Sequence, residues 1–543
     1  MRFLYTTNTT AVATLLLRVF CSSFATEAFH PAISKFHRTP KVNRSNRDRA
    51  LQHFRRNQGY RWTTRYHDLT LMPTTQLLCS SDISSSIQDG DKGIHHRQRQ
   101  QQLLVLNIRG GGGDESNTGT GAGTASIPNE IFNLVKCIVG AGVLSLPAGI
   151  ASFGNAPSAL LPAVALIALM GTVSAYTFSM IARLCSYTGA ISYADAWDKT
   201  RGTRFAWIVA LSSAMDCFAG NLTYSMVLAD TFRDLLLSLG IAATRTKVLL
   251  CLTPSVLLPL CLVKNLSSLA PFSVLGLLGM AYTSIAIIAR YVGGAYAIPG
   301  GKFLADLPSA GQPLFGAIGA KGAFSPKSLI LVSMLSTAYI AHFNAPKFYR
   351  ELKNNTMDRF NKVVATSFGA SVALYAVVSI AGFLTFGSAT APMILNNYST
   401  KDALFSLSRF AIALSLLFSY PLLFVGTRDG ILDLVGFAPE KRTNGFLNQF
   451  SVGLLSLVTI LALRITNLTL VASLTGALLG TSLIFIFPTL MFRGYVQNVI
   501  GGTQRATRRQ QIEHRICSLI AVTGVAIGIV GARMAIQNFL GGR

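Results

Sequence analysis

From Pro128 onward the chain alternates long apolar runs with short polar gaps, whereas the residues before it are polar and basic and show no sustained hydrophobic period. Each apolar run approaches or exceeds the roughly 20 residues that a helix needs to cross the hydrocarbon of a bilayer. The pattern predicts about eleven spans, over 130–153, 158–185, 205–238, 247–263, 268–292, 327–349, 361–387, 402–427, 447–465, 468–493 and 514–536. The fourth and ninth are short, and the third is long enough to tilt. The expected fold class is an all-α polytopic membrane domain over 129–537.

Composition supports this and removes other classes. Only 13% of the 543 residues are charged and 50% are hydrophobic, which excludes a soluble protein with one compact core. A net charge of +25 on one globular face would suggest nucleic acid. Here much of it lies in the N-terminal segment and in short loops, where basic residues set topology and targeting, so no nucleic-acid partner is expected. With the start of the first span on the positive side, that side gathers Lys199, Arg201, Arg204, Lys264, the basic residues from Lys347 to Lys362, Arg428, Lys441, Arg442 and those from Arg505 to Arg515. The opposite side keeps Arg245, Lys247, Lys302, Lys321 and Lys401, and an odd number of spans puts Arg543 there. None of the eight cysteines falls in a Cys-x-x-Cys or Cys/His metal spacing, and six lie in or beside spans, as small buried hydrophobes do.

Three segments precede the membrane domain. Residues 1–28 are signal-like, with Arg2, the apolar stretch Ala11 to Leu17 interrupted by Arg18, and small residues before Phe29. Residues 29–109 have the composition of a basic transit-type or disordered region, and 110–128 form a Gly-rich linker. Ala25-Thr-Glu-Ala-Phe29-His-Pro31 resembles the cleavage motif of bipartite plastid-targeting sequences in algae with secondary plastids. That resemblance implies a plastid envelope; otherwise an endomembrane or the plasma membrane is expected.

Two spans carry residues that suit an ordinary buried helix poorly. In Phe132 to Pro147, Lys136 needs neutralisation or hydration, Gly140 and Gly142 loosen the helix, and Pro147 lacks a backbone donor. Two readings stand: a close helix-packing site, or an unwound segment whose free backbone groups bind substrate, ion or water. In the sixth span His342, Asn344 and Pro346 fall within five residues late in an apolar run. They mark either the end of the span or a second break, and breaks in spans one and six are corresponding members of two five-span repeats.

Phe132-Asn-Leu-Val-Lys-x-x-x-Gly-x-Gly-Val-Leu-Ser-Leu-Pro147 resembles the first-span signature of the amino acid/auxin permease family, which includes sodium-coupled neutral and proton-coupled amino acid transporters. Tyr224 to Asp230 is similar to the family's third-span ending, with Ala229 where glycine is usual. Ala341-His342 through Tyr349-Arg-Glu351-Leu352 is similar to its sixth-span pattern, with Ala341 replacing cysteine. Gly382 to Gly387 and Ser419-Tyr-Pro421 with Arg428 resemble the ends of its seventh and eighth spans. The resemblance implies a 5+5 inverted-repeat transporter fold of the LeuT type plus one extra helix, and a secondary active transporter of amino acids. It places the substrate carboxylate at half-helix N-termini near Gly140, Ala141 and Gly142, and the amino group or side chain near Tyr339, His342 and Asn344.

For the coupling ion, H+ or Na+, the sodium-coupled branch has an asparagine where this chain has Lys136, and the proton-coupled branch has a lysine. Protons are therefore expected over sodium; a Lys136 that merely snorkels to the interface is the plainer reading. Ser415 and Ser419 would supply oxygens to a sodium site, or bond their own backbone. Asp216, deep in the third span, is a candidate proton relay or a quiet partner of a neighbour such as Asn221. The expected partners are membrane lipid and a small-molecule amino acid, with no cofactor beyond the ion. The chain shows no nucleophile motif, Walker loop or paired catalytic carboxylates, so no enzyme is expected. An amino-acid-sensing receptor on the same scaffold is the alternative function.

Overall fold

The computed structural model describes residues 123–262, 270–437, 441–500 and 508–541. The signal-like segment, the basic region and the start of the Gly-rich linker lie outside the described residues. Sixteen helices are used below. They are α1 (Ile127–Ile138), α2 (Leu146–Ala151), α3 (Leu160–Thr188), α4 (Tyr193–Arg201), α5 (Ala206–Ser238), α6 (Arg245–Leu252), α7 (Leu258–Cys261), α8 (Ala270–Val292), α9 (Ser328–Ala338), α10 (Ala345–Glu351), α11 (Met357–Phe386), α12 (Ala403–Leu434), α13 (Asn444–Arg464), α14 (Leu468–Thr475), α15 (Phe487–Gly494) and α16 (Arg508–Gly541). Among the described residues there is no strand, only isolated bridges such as that between Ala125 and Leu352.

Eight helical stretches are long and apolar enough to cross a membrane, or nine if the pair around Val139–Gly140, bent by 44°, counts as one span. All eleven expected positions are helical, but the fourth (Arg245–Cys261, with Pro254 and Pro259 beside a π-helical turn) and the fifth (Ala270–Val292) fall short of that test. The chain is thus a nearly all-helical, multi-pass membrane protein.

Lipid offers no hydrogen bonds, so polar side chains inside spans must find partners within the protein. Many do so locally: the hydroxyls of Thr283, Ser371 and Thr427 each donate to the carbonyl four residues earlier. Small residues let helices close in. On α12, a Cβ added to Gly430 would stand 2.8 Å from the Ala214 methyl on α5. Helix α11 packs on α1, α2, α3 and α8, and so becomes the common wall behind both irregular spans.

Buried charges organise one end of the bundle. Asp402 is fully buried and accepts from Arg290 Nε and Nη2 at 2.9 and 2.7 Å, from the Tyr296 hydroxyl at 3.0 Å and from the Leu404 amide at 3.1 Å. Burial, with Asp402 beside it, holds the Tyr296 phenol above its ordinary range. Buried Arg409 pairs with Asp234 at 3.5 Å and donates to the carbonyls of Leu395 and Tyr398. These contacts tie loops to the ends of α5, α8 and α12.

Candidate functional site

The two spans with awkward residues are both broken, and by the same construction. α1 ends at Ile138, Val139 and Gly140 are extended, a 3-10 turn covers Ala141–Ser145, and α2 begins with Pro147 in its first turn. α9 ends at Ala338, the chain leaves the helix through Tyr339 to Ala341, a 3-10 turn covers His342–Asn344, and α10 begins with Pro346 in its first turn. A proline there loses no helical bond, because first-turn amides have no intrahelical acceptor. Neither 3-10 turn has a side chain capping its N-terminus. Each break therefore offers uncapped amide donors on one side and free carbonyl acceptors on the other.

The carbonyls meet at one residue. The Tyr375 hydroxyl on α11 is fully buried and lies 2.8 Å from Ile138 O and 2.8 Å from Ala338 O, the last carbonyls of α1 and α9. One phenolic hydrogen shared between two acceptors binds the two breaks to a common point. The breaks also touch directly. Asn344 Nδ2 donates to Cys137 Sγ at 3.3 Å, and a Cβ on Gly142 would stand 3.7 Å from Ala338 Cα. A Cβ on Gly140 would approach the Tyr224 hydroxyl of α5 at 3.9 Å. At the junction Ile138, Ala338 and Asn344 are buried, whereas Cys137, Gly140 and Gly142 are half-buried.

The other named residues of the second break face elsewhere. Tyr339 donates to Ile167 O at 3.2 Å on α3 and stacks on Phe368 and Tyr375 of α11. His342 Nε2 lies 3.1 Å from Ser174 O and 3.0 Å from Thr177 Oγ1, also on α3. A carbonyl only accepts, so Nε2 carries the proton and donates to it. Nδ1 is left as a bare acceptor, buried without a hydrogen-bond partner among the described residues.

The expected ion-coupling residues are dispersed. Lys136 is half-buried in the last turn of α1, with no ion pair to a described residue. Ser415 packs against Gly276 of α8, and Ser419 is half-buried one turn on along α12. Asp216 is 6% exposed on α5 and has an interaction partner, so it is not the unpaired carboxylate from which a relay reading starts. Asn221 donates to Thr427 Oγ1 at 3.0 Å.

Nothing in the local sequence singles out Tyr375, because aromatic residues are frequent throughout the spans. Its depth was the available signal. It sits well inside a 30-residue helix, far from either belt, where a phenol needs a buried acceptor.

Residues 123–534 match the family model described as transmembrane amino acid transporter protein. The chain is 26% identical over 419 residues to a putative sodium-coupled neutral amino acid transporter 11 of Danio rerio, covering 76% of this chain and 86% of that protein. It is 27% identical over 312 residues to vacuolar amino acid transporter 7 of Saccharomyces cerevisiae, covering 58% and 60%. The crystal structure of MhsT in complex with L-phenylalanine superposes with a TM-score of 0.49 at 12% identity, over 76% of this chain and 100% of that one.

Tyr375→Phe keeps the ring and leaves two buried carbonyls without their donor. A loss of about 1–3 kcal/mol is expected, read as a lower thermal-unfolding midpoint of the detergent-solubilised protein; an unshifted midpoint would show that the hydroxyl is dispensable.

Proposed function

Because the chain belongs to the transmembrane amino acid transporter protein family, we propose that it is a secondary active transporter moving amino acids by alternating access, coupled to protons rather than sodium. The observation that carries the reading is the pair of like-built helix breaks joined at Tyr375. Uncapped amides at Ala141 and Gly142 suit a substrate carboxylate, since the N-terminal end of a helix bears partial positive charge. Asn344, which reaches across to Cys137, is placed to sense what lies between the breaks. In this reading the two breaks belong to two inverted five-span repeats, with α16 as the extra helix.

Proton coupling rests on Lys136. Its ammonium is held in the last turn of α1, at the negative end of the helix dipole, where a cation is favoured and a mobile sodium ion would otherwise be drawn. The zebrafish relative is named as sodium-coupled and the yeast one as vacuolar, so ion and membrane both need measurement on this chain. The Ala25–Pro31 motif supports plastid delivery; a fluorescent fusion of residues 1–109 is expected to reach the plastid, and a cytosolic or mitochondrial signal would dismiss that address.

In proteoliposomes holding the full chain, labelled amino acid should accumulate under an imposed pH gradient without sodium. Binding without flux would sink the transport reading and favour a receptor. Lys136→Asn should change sodium and pH dependence more than substrate preference, and unchanged ion dependence would remove Lys136 from coupling.

Gly142 tests the junction sterically. Gly142→Ala adds a Cβ at ordinary contact distance from Ala338 and should keep uptake. Gly142→Val adds two further methyls against a packed backbone, an overpacking cost of about 1–3 kcal/mol, and should abolish uptake while the protein still inserts. Normal uptake by the valine variant would mean that substrate does not pass this junction.

A further inference from the structure

The beginning of the first broken span is fastened to the end of the second. Ala125 N donates to Glu351 O at 3.0 Å, and Lys353 N donates to Ala125 O at 2.9 Å. Ser126 then caps α1 through the Asn129 amide, and Glu130 follows in the first turn. The Glu130 side chain is 1% exposed, and both of its carboxylate oxygens are buried with no hydrogen-bond partner among the described residues. The charged groups that act on it come from α10: Glu351, of like sign, and Lys347, of opposite sign. The Lys347 ammonium is already 3.7 Å from Glu351 across one helical turn. From α11, packed on α1, Asp358 and Lys362 are exposed, and Arg359 donates to the Lys353 carbonyl. Arg350 is exposed and acts on Glu351.

Lys347 and Arg350 both act on Glu351, so an ionised Glu130 adds a negative charge at this end of α1 with no cation at bonding distance among the described residues. That charge falls on a side chain that is 1% exposed and has no donor among the described residues. The positive end of the α1 dipole offers only a small compensation, whereas removing a carboxylate from water without a hydrogen bond is among the most costly arrangements in a protein. A bound proton removes the surplus charge.

We propose that Glu130 is the proton-binding site through which transport is driven: its carboxyl holds a proton while α1 is docked on α10 and releases it when the two separate and water reaches the first turn. This rests on the proton-coupled transport reading. In the docked state the proton adds to a carboxylate oxygen of Glu130; in the separated state it leaves to water, and the carboxylate is hydrated. Separation of α1 from α10 opens the junction at Tyr375 towards the side on which α1 begins. Proton release and opening of the substrate site are then one equilibrium, and each biases the other reciprocally.

The test uses the full chain in proteoliposomes, with the wild type, Glu130→Gln and Glu130→Asp compared in two assays. The first is exchange of labelled for unlabelled amino acid without a gradient, and the second is accumulation under about one pH unit, where one proton per substrate supports up to about tenfold concentration. Glu130→Gln mimics the protonated acid, so it should still exchange, at a rate that no longer varies with pH, while its accumulation falls from about tenfold to none. Glu130→Asp should keep a pH-driven component. Glu130→Gln accumulating like the wild type overturns the proposal. Loss of its exchange together with its accumulation also overturns it, by making Glu130 part of the gate's structure. A wild type that exchanges but ignores the pH gradient removes proton coupling and this site with it, whereas a wild type that does not exchange overturns the transport reading itself.

Discussion

A helix that stops inside a membrane leaves carbonyls with no water to accept from, and in this protein two such ends are satisfied by one hydroxyl. Tyr375 stands between Ile138 O and Ala338 O, so neither break can change without releasing a buried acceptor or finding it a new donor. That constraint makes the two irregular segments one unit. It also explains why α11, which contributes no polar residue to the substrate-side motifs, packs on both α1 and α2. Its role is to present one phenol at the depth where both helices end.

The surroundings divide by how firmly they are held. Around α3, Tyr339 and His342 are fixed by carbonyls of a continuous helix and by stacked rings, so the outer wall of the second break is rigid. Between the breaks the direct contacts are lighter: one amide to a thiol, and a glycine against an alanine backbone. At the far end of the bundle, buried Asp402 and Arg409 lock loops to helix ends with several charge-assisted bonds each. The junction of the breaks is thus the weakly bonded seam between well-bonded blocks, which is the arrangement that a moving gate requires.

Much of this was legible in the sequence, for identifiable reasons. Both breaks were visible because glycine, proline and polar side chains are costly in an apolar helix and therefore stand out locally. The spans were visible because hydrophobic length is a property of contiguous residues. What escaped is long-range pairing. Tyr375 meets Ile138 from 237 positions away and Ala338 from 37, and nothing near it in the chain announces either. Tyr339 and His342 hydrogen-bond to α3, while Asn344 reaches across to Cys137 on the first break, and proximity in sequence does not distinguish these directions. Asp216 lies deep in a span and has an interaction partner, whereas Glu130, near a span's start, is a buried acid with no hydrogen-bond partner among the described residues. Depth inferred from position in a run is a poor guide to burial where segments pack back on one another.

The short helix α1 places opposite charges at its two ends, Glu130 in the first turn and Lys136 in the last. Both signs complement the helix dipole, and at about 0.3–1 kcal/mol each that effect is comparable for the two. Their surroundings differ far more. Lys136 is half-buried, and its long stem lets the ammonium reach towards the more exposed side of α1. Glu130 is closed off, and an effective penalty of several kcal/mol for a buried unpaired ion exceeds what the dipole returns. In the proposed mechanism the ammonium is therefore a fixed charge beside the substrate junction, while the carboxyl changes charge at the other end, where α1 meets α10. A proton acting there alters how the half-helix docks without touching the substrate contacts. Coupling then proceeds through the position of α1 rather than through direct contact between proton and amino acid.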